Sequence, residues 1–246
     1  MKEKKTDIIS VYEEDHVRSV TGPTIRPGGF ALTDRAMAFC GFPERSRVLD
    51  AGCGCGATVR HLQRRWGLTA TGVDLSQRLL ADRLQDGPLE LIRGDAGRLP
   101  IGTDTMDGLT CECALSIMPD PKAVLQEYHR VLKPKGYLIL TDIYLRAESP
   151  RLCGSLPINA CFSGAVTRDE RTRQIEAAGF SILLWEDHTK LLKELAARFV
   201  FELGSLKKFW EHILPCDCSG KTGDLIRQGK PGYSLLIAQK TQDTSS

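Results

Sequence analysis

Nine consecutive residues, Val48-Leu49-Asp50-Ala51-Gly52-Cys53-Gly54-Cys55-Gly56, join a short apolar run, an acid and three alternating glycines. The next six residues have helical spacing, so the stretch predicts a strand, a tight turn and a helix N-terminus. Glycine at the turn allows positive φ and lets a ligand approach the backbone, because no Cβ is in the way. The N–H groups at a helix N-terminus favour an anionic group. The stretch therefore indicates a binding site for a nucleotide-type cofactor.

The glycine spacing alone does not decide between a dinucleotide and another nucleotide-type cofactor. Gly52, Gly54 and Ala57 satisfy the dinucleotide pattern G-x-G-x-x-G/A. Acids after three successive predicted strands, however, favour a cofactor other than a dinucleotide. Asp50 ends the first strand, where a dehydrogenase usually keeps an apolar or small residue. Asp74 ends the second, eighteen residues after the last glycine of the turn, and can accept hydrogen bonds from ribose hydroxyls. Asp95 follows the third, where a carboxylate can meet an adenine amino group.

Together these features resemble the class I S-adenosylmethionine (SAM)-dependent methyltransferases, whose first motif is an acid followed by G-x-G-x-G. The resemblance covers about residues 45–185 and implies SAM as the cofactor. The residues that it assigns to cofactor binding are Asp50, Gly52, Gly54 and Gly56 for the methionine part, Asp74 for the ribose, Asp95 and Ala96 for the adenine, and Leu75 and Cys111 as further contacts. It also implies that Cys111 to Cys113 form the floor of the transfer site.

Strands and helices alternate along most of the chain. Strands are predicted over residues 69–73, 89–93, 106–111, 137–142, 180–185 and 233–239, with helices between them. Such alternation predicts a parallel sheet with right-handed crossovers and with ligands at the carboxyl ends of the strands. The predicted fold class is α/β: a Rossmann-like, seven-stranded, mostly parallel sheet with an antiparallel last strand, helices on both faces and a helical insertion before the last strand.

All 246 residues are predicted to form a single methyltransferase domain. Its core is expected at about residues 45–187 and 233–240, after an N-terminal lid over residues 1–44. A helical cap over about residues 188–232, with a break at Gly204-Ser205, precedes the last strand. The lid contains a glycine- and proline-rich loop, and in methyltransferases such a loop commonly folds over the cofactor. Arg26 in that loop is therefore a candidate contact for a carboxylate.

The fourth predicted strand ends in Cys111-Glu112-Cys113, which in the family lies beside the methyl group. Catalytic roles are predicted for Glu112, Cys113 and Cys161. The segment around Cys161, residues 160–165, resembles a part of the arsenite methyltransferases in which the cysteine is a metalloid ligand, and Cys218 lies in a region where that family also carries a thiol. Because soft thiolates suit trivalent arsenic, Cys113, Cys161 and Cys218 are candidate metalloid ligands. The alternative is that they are small buried apolar residues, as free cysteines often are.

Composition argues against several other classes of protein. A net charge of +2 provides no basic surface that would favour nucleic acid. No apolar run approaches the roughly 20 residues that a membrane-spanning helix needs. The charged N-terminus lacks the apolar segment of a signal peptide, so a cytoplasmic location is expected. The nine cysteines are many for such a protein, but their odd number and the lack of any C-x-x-C pair argue against a disulfide framework or a zinc ribbon.

The sequence therefore predicts a SAM-dependent methyltransferase that acts on a small molecule, with a thiol-bound metalloid such as arsenite as the sharper hypothesis. Two alternatives stay open. An NAD-dependent oxidoreductase would need a separate substrate domain, and no such domain is evident. A non-catalytic SAM- or metal-binding protein would use its three Cys-x-Cys pairs without turnover. The oligomeric state is left open.

Overall fold

The computed structural model describes residues 10–82, 87–147, 160–205, 208 and 228–242. The strands among them are β1 (Arg47–Ala51), β2 (Thr69–Asp74), β3 (Glu90–Arg93), β4 (Met106–Glu112), β5 (Leu132–Leu145), β6 (Phe180–Asp187) and β7 (Pro231–Lys240). The α-helices are α1 (Ser10–Glu13), α2 (Asp15–Thr21), α3 (Ala31–Cys40), α4 (Ala57–Trp66), α5 (Gln77–Ala81), α6 (Pro121–Val131), α7 (Arg168–Ala177) and α8 (Thr189–Leu203). A 3₁₀ helix, Leu115–Ile117, follows β4.

The strands pair into one sheet in the order β3-β2-β1-β4-β5-β7-β6. Pairing is parallel from β3 to β5, and β7 lies antiparallel between β5 and β6. The predicted fold class is thus confirmed, including the antiparallel last strand. The strand order reverses between β1 and β4, and α/β sheets bind ligands in the crevice outside the carboxyl ends of the strands at such a point.

Apolar side chains cover both faces of the sheet, because successive residues of a strand point to opposite sides. On β5, Ile139 and Ile143 pack into the layer that contains α3 and α4. Leu138 and Leu140 pack into the opposite layer, which contains residues of α6 and α7. These two close-packed layers hold the carboxyl ends of the strands in fixed relative positions, so the site at those ends rests on rigid elements.

Most element ends lie where local signals predict them. Helix α4 begins at Ala57, directly after the glycine turn, as the pattern of that stretch predicts. Ser76 caps α5 by accepting the N–H of Leu79 at 3.1 Å, and Thr167 accepts the N–H of Glu170 at the start of α7. The main correction is β5, which begins at Leu132, directly after α6, instead of at residue 137. The β4–β5 register shifts between Met106 and Gly108, and such a bulge tolerates Pro134, which has no N–H to donate.

Helix α8 ends at the predicted break, where Gly204 adopts the left-handed conformation with φ of 82°. The rest of the predicted helical cap, residues 206–227 apart from Lys208, lies outside the described residues. The domain boundaries therefore stay a prediction. Within the described ranges, every helix is too short or too polar to span a bilayer.

Candidate functional site

A cleft of about 520 Å³ opens at the carboxyl ends of β1 and β4. Its walls come from the turn after β1, from the ends of β2, β3 and β4, and from the N-terminal segment. The predicted site residues that line it are Asp50, Gly52, Gly54, Asp74, Leu75, Asp95, Ala96, Glu112 and Cys113. Of the other predicted residues that the structure describes, Gly56, Cys111 and Cys161 do not line this cleft.

The glycine turn, residues 52–56, depends on backbone conformations that other residues rarely adopt. Gly52 has φ of 80°, and a Cβ there would lie 2.7 Å from Cβ of Ala114. Gly54 also has positive φ, and its N–H donates to Oδ2 of Asp74 at 2.7 Å. Gly56 lies just before α4 and faces away from the cleft, since a Cβ there would lie 3.0 Å from Leu91. Gly52 and Gly54 therefore leave backbone accessible in the cleft, whereas Gly56 serves packing.

Asp74 is held in place by backbone on both sides. One carboxylate oxygen accepts the N–H of Gly54, and the other accepts the N–H of Ser76 at 2.8 Å. Burial raises the pKa of Asp74, and the two N–H groups partly oppose that rise. Beside it, Leu75 is 54% exposed and offers an apolar surface to the cleft. Asp95, after β3, accepts the N–H of Gly97 at 2.8 Å.

Asp50 is a buried acid at the base of the cleft. It is 3% exposed and accepts the Thr110 hydroxyl at 2.9 Å. Burial and then the charge of Glu112 raise the pKa of Asp50 to about 7, although Arg26 and Thr110 act in the opposite direction. A buried carboxylate with a raised pKa gains from a nearby positive charge, so Asp50 favours a cationic ligand.

Glu112 forms a buried ion pair with Arg26. Nη2 of Arg26 lies 2.8 Å from Oε2 of Glu112, and their side chains are 5% and 2% exposed. The hydroxyls of Thr33 and Thr58 also donate to Glu112, at 2.8 and 3.1 Å. The carboxylate that Arg26 contacts thus belongs to the protein, and a contact of Arg26 with a carboxylate of the cofactor stays a prediction. With both oxygens engaged, Glu112 is in a position to anchor the N-terminal segment, and a catalytic role for it remains a prediction.

Cys111 lies on the opposite face of β4, in the core. The hydroxyl of Tyr128 donates to its sulfur at 3.4 Å, and burial raises the pKa of its thiol. Alternation along the strand explains this position, because Cys111 and its neighbour Glu112 must point to opposite sides. A cofactor contact by the Cys111 side chain thus has no support from this geometry.

Cys113 and Cys161 come together although 48 positions separate them in the sequence. Cys161 packs against the apolar cluster that contains Cys113, and its thiol is near enough to affect the pKa of Cys113. The Cys113 thiol donates to the hydroxyl of Tyr233 at 3.4 Å, and the N–H of Cys161 donates to the hydroxyl of Tyr12 at 2.8 Å. The neighbouring Cys161 thiol and burial raise the pKa of Cys113. The third candidate ligand, Cys218, lies outside the described residues.

Sequence reasoning missed four residues that build this site: Tyr12, Thr33, Thr58 and Tyr233. Thr33 and Thr58 lie on helices whose pattern indicates only packing. Tyr12 lies in a weakly amphipathic segment, and Tyr233 lies in a strand whose pattern indicates core. Each becomes visible only when distant segments are brought together, so no local signal was available.

Comparison with known proteins places this geometry in a family. The sequence profile described as "Methyltransferase domain" matches residues 49–140. Methyltransferase GfsG of Streptomyces halstedii is 36% identical over 205 residues, which cover 79% of this chain and 74% of that protein. The chain belongs to the class I SAM-dependent methyltransferases.

Other relatives of this methyltransferase match over smaller parts of their length. An arsenite methyltransferase of Halobacterium salinarum is 24% identical, over 69% of this chain and 45% of that protein. The chain spans about half the length of several further curated relatives that it matches. A phosphoethanolamine N-methyltransferase of Haemonchus contortus, solved with SAM, has the same fold with a TM-score of 0.73 at 18% identity; the match covers 98% of this chain and 62% of that one.

The open turn and the acids of the cleft suit SAM. Gly52 and Gly54 keep the turn free of side chains, and Asp50 and Asp74 line the same cleft. SAM carries a sulfonium and an ammonium group, whose positive charges match a buried acid with a raised pKa. We expect Asp50 and the glycine turn to hold the methionine part, and Asp74 to hold the ribose.

The affinity of the methyltransferase for SAM is expected to rise about tenfold between pH 6 and pH 8, since an acid with a pKa near 7 becomes ionised over that range. The sign follows from Asp50, whose pKa is raised to about 7 in the unliganded protein. The neutral form must lose its proton before it can pair with a cation, so binding at lower pH is weaker. Calorimetry across this range checks the slope, and Asp50→Asn should flatten it. An equal slope in Asp50→Asn would assign the pH dependence to another group.

Proposed function

We propose that this chain transfers the methyl group of SAM to a small acceptor that is uncharged or soft. The observation that carries the proposal is the cleft itself, which is lined by the open glycine turn, by the acids Asp50 and Asp74, and by Cys113 and Tyr12. Arg26 also lines the cleft, but its guanidinium is engaged with Glu112, Thr33 and Thr58. Beside Cys113, the side chains of Ala114, Ile117 and Met118 also line the cleft, so this part of it offers apolar and soft contacts.

Bound SAM supplies a methyl group that its sulfonium already activates, so the protein's contribution is positioning and exclusion of water. Asp74 and the glycine turn would hold the cofactor against the sheet edge. Arg26 and Glu112 would hold the N-terminal segment over the cleft. The floor at Cys113 is fixed by the N–H of Cys113, which donates to the carbonyl oxygen of Thr141 at 2.7 Å. These contacts restrict the motion of the cofactor and of the cleft walls, and the proposed transfer requires no specialised general base.

Calorimetry with SAM, followed by a turnover screen, tests the proposal. We expect SAM to bind, and S-adenosylhomocysteine to form when the correct acceptor among small thiols, phenols and arsenite is present. The double variant Asp50→Asn/Asp74→Asn, which lacks two acids of the cleft, should bind neither SAM nor S-adenosylhomocysteine. Failure of the wild-type protein to bind SAM would overturn the proposal.

A thiol-bound metalloid is the sharper form of the acceptor hypothesis. It is supported by the pairing of Cys113 with Cys161 and by the likeness to an arsenite methyltransferase. Trivalent arsenic takes two or three thiolates, since soft ligands suit soft centres. In the described part of the chain no group of three metal-binding side chains is present, so a third thiol would come from a cysteine outside it, and we propose Cys218 or Cys216 for that role.

Arsenite binding is therefore expected to weaken at least about tenfold in Cys113→Ser and in Cys161→Ser, because each change removes one soft ligand. Calorimetry with sodium arsenite measures the effect. Cys40→Ala is the matched control, since Cys40 lies in the core with α3. If all three variants bind arsenite as tightly as the wild type does, and SAM binding is retained, the acceptor is restricted to an organic small molecule.

A further inference from the structure

Two adjacent residues of α1, Tyr12 and Glu13, contact separate segments of the chain beside the cleft. The hydroxyl of Tyr12 accepts the N–H of Cys161 at 2.8 Å, on the side of the thiol pair. Oε1 of Glu13 accepts the hydroxyl of Ser76 at 2.6 Å, on the side of the proposed ribose site. Helix α1 therefore links the region of Cys113 and Cys161, which we call the acceptor wall, to the proposed ribose site. We call residues 10–29 the strap.

The contact of Glu13 continues directly to Asp74. Ser76 donates its hydroxyl to Glu13 and its N–H to Oδ1 of Asp74. The charge of Glu13 raises the pKa of Asp74, so the two carboxylates repel each other when the strap is seated. A ligand whose hydroxyls donate to Asp74 stabilises its negative charge and reduces that repulsion. Binding at the ribose site should therefore favour the seated position of the strap.

We propose that Tyr12 and Glu13 are positioning residues that couple the cofactor site to the acceptor wall. Occupation of the ribose site favours the Glu13–Ser76 contact, and the Tyr12–Cys161 contact then completes the wall beside the thiol pair. The inference rests on the proposed function, because it assumes that Asp74 binds the ribose of SAM. Such a coupling is a difference in binding free energy between two sites, and it is reciprocal.

Two further contacts hold the strap at Arg18 and Arg26, so α1 is the part of the strap that can respond to ligand binding. Arg26 is fixed by its buried pair with Glu112. Arg18, in α2, pairs with Asp82 at 2.7 Å, with both side chains partly exposed. The Glu13 and Tyr12 contacts lie beyond both anchors along the chain. Release of α1 therefore does not require the buried ion pair to break.

Protection of Cys161 from N-ethylmaleimide gives a readout that needs no acceptor. Cys161 is half-buried, whereas the other described cysteines are buried. Mass spectrometry with peptide fragmentation measures the labelling of Cys161 separately from that of Cys153. We expect S-adenosylhomocysteine to slow the labelling of wild-type Cys161 about tenfold, a typical size for coupling between two sites. Glu13→Ala should lose this protection while S-adenosylhomocysteine still binds. In Tyr12→Phe, Cys161 should be labelled rapidly both with and without S-adenosylhomocysteine.

Glu13→Gln distinguishes coupling from a merely structural role. The amide of this variant can still accept the Ser76 hydroxyl, but the substitution removes the repulsion with Asp74, so Cys161 should label slowly even without ligand. Glu14→Ala is the matched control: Glu14 is exposed and its side chain does not cap α2, so it should behave as wild type. Equal protection in wild type, Glu13→Ala and Glu13→Gln would overturn the inference. Absence of binding of S-adenosylhomocysteine to the wild type would instead overturn the proposed function.

Discussion

Arg26→Met is expected to lower the free energy of unfolding by about 3–5 kcal/mol, the usual cost of leaving one member of a buried ion pair without its partner. Arg26 and Glu112 are both almost fully buried and lie 2.8 Å apart. Without Arg26, the charge of Glu112 faces Asp50 in the same cleft. Urea unfolding at pH 7 with circular dichroism measures the loss.

Two variants show whether the charge is responsible. Arg26→Met/Glu112→Gln should regain at least half of the loss, because the neutral amide can still accept the hydroxyl of Thr33 or Thr58. Arg35→Met breaks the pair between Arg35 and Glu186, whose side chains are 42% and 26% exposed, and should cost less than about 1 kcal/mol. If the double variant is as unstable as Arg26→Met, lost packing of the arginine stem, and not the unpaired charge, dominates.

Asp74→Ala is expected to weaken SAM binding by about 2–4 kcal/mol, or roughly 30- to 1000-fold, because charge-assisted hydrogen bonds to a ligand are the strong ones. The structure adds a second reason for a large effect. Asp74 also accepts the N–H of Gly54 at 2.7 Å, so its removal releases the glycine turn as well as the ribose. Calorimetry with SAM measures the change.

Asp95→Ala provides the comparison, since Asp95 lines the same cleft but is exposed. A single contact of an exposed carboxylate with an adenine amino group should be worth only about 0.5–1.5 kcal/mol. Circular dichroism establishes that both variants are folded. SAM affinity that is equal in Asp74→Ala and in wild type would contradict the assignment of the ribose site.

The arrangement of the sheet could be predicted because its signals are local. The acid and glycines after β1, the Asp74 after β2, and the alternation of strands and helices each lie within a short window, and right-handed crossovers leave few topologies. The extension of β5 back to Leu132 could not be predicted in this way. Proline and glycine at residues 134 and 136 are typical of a loop, and only the bulge opposite β4 accommodates them.

The acceptor side of the site was less predictable because its members come from distant segments. Sequence reasoning identified Cys113 and Cys161 from a resemblance, but it had no means to place Tyr12 or Tyr233 beside them. It assigned Cys111 to the cleft, although alternation along β4 carries that side chain into the core. It selected Arg26 for a carboxylate without identifying Glu112 as that carboxylate.

By itself the sequence determined the class of fold, the cofactor type and the end of the sheet at which the cleft opens, because turn glycines and strand-end acids act through local backbone geometry. The tertiary structure alone decided which polar groups meet: Arg26 with Glu112, Cys113 with Cys161, and Glu13 with Ser76. Those pairings depend on how helices and loops far apart in the chain pack over one sheet edge, and no short window of sequence encodes that packing.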